Sequence, residues 1–422
     1  MLPVQAPQPA VHKWKTRPVR FPSTTQPGCG ILRTMPWWFG YLTIGAWLLV
    51  VACAAMARGR AFATFAGVIM GLHSLIAAEI APMFANVMPV FVVLHLAVYV
   101  HFVMLTRARM RSLLYRLLIS WPGSFFWAGT LLAMPWAVAR ALGFTPWGIV
   151  IPYALAAIGF IQSHATHSEE IDLVIGDHHA DTQQPRPHPR GKTREQRPLR
   201  IVQITDPHIG PFMSVDRLRK IAEDAVSKQP DLVCLTGDFL TMESQGDPEL
   251  LRRAFEPLAA LKGRVFACHG NHDHEAPVTV RTALTANGIV LLVDDAALLD
   301  TEAGRVHIIG MDFAWRERAE RMQRVCEQHP RIPGTTRIVM LHDPGAFKHL
   351  PEGEADLVLS GHTHGGQVGL LSLGLSWTIL RLFGISIPDH GFWARGRDRM
   401  YVHRGTGHYG FPLRVGVPAE ES

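Results

Sequence analysis

The sequence predicts an α/β domain behind a helical membrane segment, and three observations lead there. Between residues 199 and 422 short apolar runs alternate with amphipathic helical patterns, the order that builds a layered α/β fold. The first third is instead a series of long uncharged stretches rich in Trp, Phe, Met and Ala, each near the length that crosses a bilayer. At 422 residues the chain also exceeds what a single core usually serves.

Residues 1–35 are basic, Pro-rich and aperiodic, the composition of a disordered tail. The apolar run that follows is too long, and succeeded by too many others, for a cleaved signal. Residues 36–162 hold about five predicted spans: Trp37–Ala57, Ala61–Ala78, Val87–Leu105, Leu113–Val138 interrupted at Pro122-Gly123, and the shorter Pro146–Ile161. Trp37, Trp38, Trp121, Trp136 and Trp147 fall near span ends, where an aromatic belt places them. Arg58 and Arg60 in the first loop share a side with Arg107, Arg109, Arg111 and Arg116 in the third, and with the α/β domain. The positive-inside rule therefore puts that domain in the cytoplasm, although Lys13, Lys15, Arg17 and Arg20 before the first span pull the other way. His73, His95 and His101 lie within spans, where hydrogen bonds between helices are the expected use. His95 and His101 do not share a helix face, which argues against a ligand pair. Residues 163–198 read as a linker, with His164 and His167 on a solvated face.

Past residue 199 strands are predicted at Arg200–Thr205, Asp231–Leu235, Val265–Cys268, Ile289–Leu292, Val306–Gly310, Arg337–Leu341 and Asp356–Ser360. Ser214 caps a helix with apolar positions at Leu218, Ile221, Ala222 and Ala225, and Asp247-Pro248 opens another that ends at Gly263. The net charge of +6 sits largely in the tail and the loops between spans. No basic groove studded with aromatics accompanies it, so nucleic acid is an unlikely partner. Cys29, Cys53, Cys234, Cys268 and Cys326 form no paired framework and read as reduced thiols.

The chemistry lies at the ends of the strands. Asp206-Pro-His208 follows the first, Gly237-Asp238 the second, and Gly270-Asn271-His272-Asp273 the third. His342 follows the strand at Arg337–Leu341, and Gly361-His362-Thr-His364 follows the last. Ligands of open α/β folds gather at such carboxyl ends. A mixture of carboxylate, amide oxygen and imidazole suits Mn, Fe or Zn, in more ligands than one ion takes.

This five-block order resembles the calcineurin-like metallophosphoesterases over roughly residues 200–417. The resemblance implies two mixed sheets packed face to face with helices outside, and two divalent metal ions as cofactors. It implies one ion held by Asp206, His208, Asp238 and His364, and the other by Asp238, Asn271, His342 and His362, with Asp238 bridging. His272 would stand beside the metals as proton donor or charge stabiliser, with Asp273 orienting its ring. Gly365-Gly366-Gln367 and Tyr401-Val-His403-Arg404-Gly405-Thr-Gly407 are similar to the membrane-associated branch, which includes relatives of the nucleotide-diacylglucosamine pyrophosphatases of lipid A synthesis. There Arg404 would approach the phosphate, whereas His403 stands where that branch has a small polar residue.

Between Gln367 and Asp389 runs an apolar insert including Leu370, Leu373, Trp377, Leu380 and Phe383. It is either a buried segment or one that dips into the bilayer interface. The function expected is a membrane-bound phosphohydrolase acting on a phosphodiester or pyrophosphate, lipid-linked in this branch. A soluble nucleotide or phosphoprotein substrate would use the same chemistry. A non-catalytic membrane sensor would keep the fold and lose ligands, and here every block is filled.

Overall fold

The structure is a computed structural model and describes residues 36–173, 175 and 197–422. The tail read in 1–35, and the part of the linker between the last two of these ranges, lie outside the described residues.

Helices α1 (Trp37–Arg58) and α2 (Arg60–Ile80) form a hairpin through Gly59, whose φ of 86° favours a residue without Cβ. Trp47 lies against Gly71, and its Nε1 donates to the Gly67 carbonyl at 2.8 Å. The chain folds back through the 3₁₀ segment Ala81–Val87 into α3 (Met88–Leu105). This return brings His73 Nε2 to 3.2 Å from His95 Nδ1, and His95 Nε2 to 3.0 Å from Thr43 Oγ1. His73 and His95 thus bond between helices, as expected of polar groups in an apolar bundle, whereas His101 Nδ1 has no hydrogen-bond partner among the described residues.

Next come α4 (Leu113–Tyr115), a π turn at Arg116–Ser120, and α5 (Trp121–Leu132). The break expected at Pro122-Gly123 does not occur, because the proline sits in the first turn of α5 and the π turn absorbs its missing donor. Gly123 serves packing, since a Cβ there would lie 3.1 Å from the Ala97 carbonyl oxygen of α3. Helix α6 (Met134–Ala141) is bent 49° from the preceding run, and α7 (Val150–Ser163) has only 14 residues. Two helical runs, Trp37–Arg58 and Arg60–Leu105, are long and apolar enough to cross a membrane. The bent run to Ala141 would make a third.

The α/β half begins with β1 (Thr166–Ser168), inside the stretch read as linker, which pairs in parallel with β12 (Ala419–Glu421). A parallel sheet of β2 (Ile201–Ile204), β3 (Leu232–Leu235), β4 (Val265–Ala267) and β5 (Val290–Leu291) follows. The second sheet has the order β10-β11-β9-β8-β7-β6, from β6 (Asp295–Thr301), β7 (Gly304–Met311), β8 (Thr335–Leu341), β9 (Leu357–Ser360), β10 (Gly391–Arg395) and β11 (Asp398–Val402). Side chains alternate across each strand, so one set from each sheet meets in the middle. Leu232, Cys234 and Phe266 of the first pack with Ile308, Ile338, Met340 and Leu359 of the second. The outward set, with Val233, Leu235 and Val265, is covered by α8 (Val215–Ser227), α9 (Pro248–Phe255) and α10 (Pro277–Ala286). Val339, Leu341 and Val358 are covered by α11 (Arg318–Gln328). The expected sandwich is present, except that its smaller sheet is wholly parallel. A short helix, α12 (Ile379–Leu382), lies in the apolar insert.

The two halves touch extensively. Ala128 and Ala156 of α5 and α7 pack with Leu413, Val415 and Phe212. Ser163 Oγ accepts from the Arg414 backbone N–H at 2.8 Å, and Trp121 Nε1 donates to the Pro211 carbonyl at 3.0 Å. Arg58 at the end of α1 donates to Gln245 Oε1 at 3.1 Å and to the Met242 carbonyl at 3.2 Å. Glu243 is buried beside this contact with no hydrogen-bond partner for either oxygen among the described residues.

Burial pushes the Glu243 carboxyl up to about 7, against the opposing pull of Arg111 and Arg116. An acid raised in the fold binds its proton more tightly there than when unfolded, so stability falls as pH rises from its ordinary value of 4.5 through about 7. Glu243→Gln removes that loss. The variant should gain on the order of 2–3 kcal/mol over the parent at pH 8 and little at pH 5, read as Tm in detergent. The same Tm difference at both pH values would mean that this carboxyl is not the titrating group.

Candidate metal centre

In each sheet the parallel strands end at one edge, and the loops that leave this edge carry the site. β2 leads to Asp206 and His208, β3 to Asp238, β4 to Asn271 and His272, β8 to His342, and β9 to His362 and His364. These loops turn sharply. Of the nine non-glycine residues with positive φ among the described residues, five are Asp206, His208, Asp238, His362 and His364. Such backbone is costly and persists only where the surroundings impose it. Two glycines permit the convergence: a Cβ on Gly270 would strike Asp238 Oδ1, and one on Gly361 would strike Asp206 Oδ2.

The side chains gather into two groups. Asp206, His208 and His364 bring ligand atoms within 4.8 Å of one another, and so do Asp238, His342 and His362. The groups adjoin. His208 Nε2 lies 3.6 Å from Asp238 Oδ2, and His342 Nε2 lies 3.3 Å from the same oxygen and 3.9 Å from Asp206 Oδ1. His364 Nε2 is 3.5 Å from Asp206 Oδ1.

Hydrogen bonds settle which ring nitrogens face inward. His342 Nδ1 donates to the Thr236 carbonyl at 2.6 Å, and His208 Nδ1 to the Leu240 carbonyl at 3.3 Å. A carbonyl only accepts, so both Nδ1 atoms carry hydrogen, and the neutral rings turn bare Nε2 lone pairs towards the carboxylates. Those two Nε2 atoms and Asn271 Oδ1 are buried and have no hydrogen-bond partner among the described residues. Lone pair facing lone pair in a buried pocket is repulsive unless a cation lies between, so these residues fit divalent metal. Otherwise a proton takes that part. Burial opposes charging of His342, but Asp238 and Asp206 outweigh it and push the imidazole up to about 10.

Two expected roles are corrected. Asp273 does not orient the His272 ring. Its Oδ2 accepts from the backbone N–H of Asp238 at 2.7 Å and Gly270 at 2.8 Å, and its Oδ1 from Phe239 at 2.9 Å. It stitches the β3 and β4 loops together, and burial together with Asp238 pushes its carboxyl up to about 6. The group on the His272 ring is Glu275, whose Oε1 lies 2.7 Å from Nδ1. Arg404 is not free for phosphate either, because its guanidinium is ion-paired with Glu169 and with Glu420. His403, the departure noted in the sequence, is buried and accepts from the Gly405 N–H at 2.9 Å.

Besides Glu275, two residues escaped the sequence reading. Arg414 is fully buried, bonded to the carbonyls of Arg404, Gly405, Gly407 and His364, with its guanidinium 3.3 Å from His364 Nδ1. Tyr409 stacks on His208 with centroids 5.0 Å apart and meets His272 edge-on at 4.9 Å. Neither follows a strand, and no local pattern marks them.

The apolar insert is not buried. Leu373 is 73% exposed, Trp377 59%, Leu382 63% and Phe383 66%. It begins directly after the His364 loop and is tied to α7, where Gln162 Nε2 donates to Ser372 Oγ at 2.6 Å.

The sequence is similar to known proteins. Residues 199–366 match the calcineurin-like phosphoesterase family. A metallophosphoesterase of Helicobacter pylori is 28% identical over 228 residues, which are 53% of this chain and 58% of that one. A phosphodiesterase of Escherichia coli is 26% identical over 226 residues, 51% of this chain and 78% of that one. A UDP-2,3-diacylglucosamine pyrophosphatase of Chlamydia trachomatis is 26% identical over 264 residues, covering 50% and 78%. The chain thus spans little more than half the length of the first of these relatives. Residues 199–366, which carry all the strand-end carboxylates and imidazoles named above, are thus a calcineurin-like phosphoesterase domain.

Proposed function

We propose that this protein is a membrane-bound, two-metal phosphohydrolase that cleaves a phosphodiester or pyrophosphate bond in a lipid-linked substrate. The observation that carries the reading is the pair of adjoining His/Asp groups, joined through Asp206 and Asp238 at 3.3–3.9 Å. Asp206, His208, Asp238 and His364 would hold one ion, and Asp238, Asn271, His342 and His362 the other, with Mn, Fe or Zn suited to the mixture. When bound, two such ions would lower the pKa of a water and offset the charge of the phosphate oxygens. His272 contributes the proton. Glu275 occupies its Nδ1, which leaves Nε2 to meet the departing oxygen. Arg414 and the strained loop backbone hold His364 in place.

Lipid linkage is supported by where the loops lie. The loops that leave His208 and Asp238, at Pro211–Phe212 and Met242–Gln245, rest on the membrane helices, and so does Leu413–Val415, whose Arg414 is bonded to the His364 carbonyl. The exposed apolar insert flanks the same edge, and one relative is a diacylglucosamine pyrophosphatase. Five spans remain the favoured topology, although α7, at ~21 Å for its length, is shorter than a ~30 Å hydrocarbon core. Arg58, Arg111 and Arg116 lie on the α/β side, which favours a cytoplasmic domain.

Four outcomes test this. Purified full-length protein should carry about two metal ions per chain by elemental analysis, and Asp238→Ala should lose most of both. Offered a phosphodiester, a phosphomonoester and a lipid-linked pyrophosphate, the parent should turn over the lipid-linked substrate best and only with divalent metal. His272→Ala should cost ~10²–10⁴-fold in kcat. Replacing Trp377, Leu382 and Phe383 together with Ser should lower turnover of the lipid substrate and spare a soluble diester. Leu380 is left alone, because it packs on Gly366. Full metal loading without turnover of any substrate would point instead to a ligand-binding sensor.

A further inference from the structure

Arg58 closes α1, far from the metal groups in sequence, yet a continuous line of polar contacts runs from it to His272. Arg58 Nη1 donates to Gln245 Oε1 at 3.1 Å, Gln245 Nε2 donates to Glu275 Oε2 at 2.7 Å, and Glu275 Oε1 holds His272 Nδ1 at 2.7 Å. The guanidinium also reaches the Met242 carbonyl at 3.2 Å and the Thr106 carbonyl, at the end of α3, at 3.3 Å. Gln245 is buried, and its backbone carbonyl accepts from Thr279 Oγ1 at 2.8 Å, so the amide sits in a fixed place.

The direction of this line follows from charge. A guanidinium only donates and a carboxylate only accepts. Between them the Gln245 amide has one good orientation, oxygen to Arg58 and NH₂ to Glu275. The flipped amide would face donor with donor and acceptor with acceptor. Arg58 therefore sets the amide, the amide sets the Glu275 carboxylate, and the carboxylate sets the imidazole.

We propose that Arg58, Gln245 and Glu275 are positioning residues for His272, and that through them the seating of the α/β half on α1 and α3 controls the catalytic proton donor. This rests on the reading of His272 given above. Membrane helices would then do more than anchor the domain. With Arg58 removed, Glu275 loses its orientation and His272 swings out of register, while Asp206 and the Asp238 loop keep the hydrogen bonds from Thr205, His362 and Asp273 that do not involve Arg58.

The test uses the full-length protein in nanodiscs with Mn and the soluble diester bis(p-nitrophenyl) phosphate. Arg58→Met should lower kcat ~10-fold, less than removal of the imidazole, because misplacement of a proton donor costs less than its loss. KM and metal content should be unchanged, Arg58→Lys should recover part of the rate, and Arg58→Met should add nothing in a His272→Ala background. A second readout needs no turnover. In metal-free protein labelled with ¹⁵N-histidine, the downfield proton on His272 Nδ1, assigned by its loss in His272→Asn, should shift or broaden in Arg58→Met and in Gln245→Met. Unchanged kcat together with an unmoved proton signal overturns the proposal, as does an equal fall in kcat when His272 is absent. A parent protein that hydrolyses nothing defeats the phosphohydrolase reading alone. The proton signal then decides the positioning line by itself, and an unmoved signal in both variants rejects it.

Discussion

The structure depends on holding like-charged groups together in a buried place. Asp206 and Asp238 approach the same imidazole nitrogens at the edge where the two sheets meet, and none of the participants is open to water. Each loop accordingly spends hydrogen bonds on its neighbour. Thr205 Oγ1 and the His362 N–H donate to the Asp206 carboxylate, and the His272 N–H donates to Asp238. The Asp273 carboxylate gathers three backbone N–H groups at once. Preorganisation of this kind charges the cost of convergence to folding rather than to the binding of metal or substrate.

The same edge faces the helices. In many enzymes the loops around a site are the freest part of the molecule, but here three of them are pinned against α1, α5 and α7. The membrane half thereby limits what reaches the centre and from which direction.

Much of this was legible in residue order. Strand ends bearing Asp, Asn and His are local patterns, and a ligand set gathered by a regular sheet edge can be read from them. The cap at Ser214 and the apolar face of α8 likewise needed only neighbours in sequence. What could not be read depends on contacts across the fold. In β6 the apolar run is only Ala296–Leu299 and is bracketed by Asp295 and Asp300, and β10 and β11 carry charges at Arg395, Asp398 and Arg399, so none stood out as the other strands did. Glu275 was passed over because Asp273 lies beside His272 in sequence, while the β3 loop claims the Asp273 carboxylate in space. Arg404 looked available until Glu169, from the stretch read as linker, came to lie against it. Arg414 carries no local signal, since its role arises from four carbonyls that converge only in the folded state.

The exposed insert has a practical corollary. Trp377, Leu382 and Phe383 stand largely in solvent beside loops whose other apolar contacts, Phe212, Leu413 and Val415, are supplied by α5 and α7. Cut free of its helices, the α/β half would bring both surfaces into water as one contiguous apolar patch, of the kind that drives self-association. The catalytic half and the membrane half are therefore separate in sequence composition but not in solubility, and a truncated preparation is expected to clump or to need detergent although it contains no spanning helix.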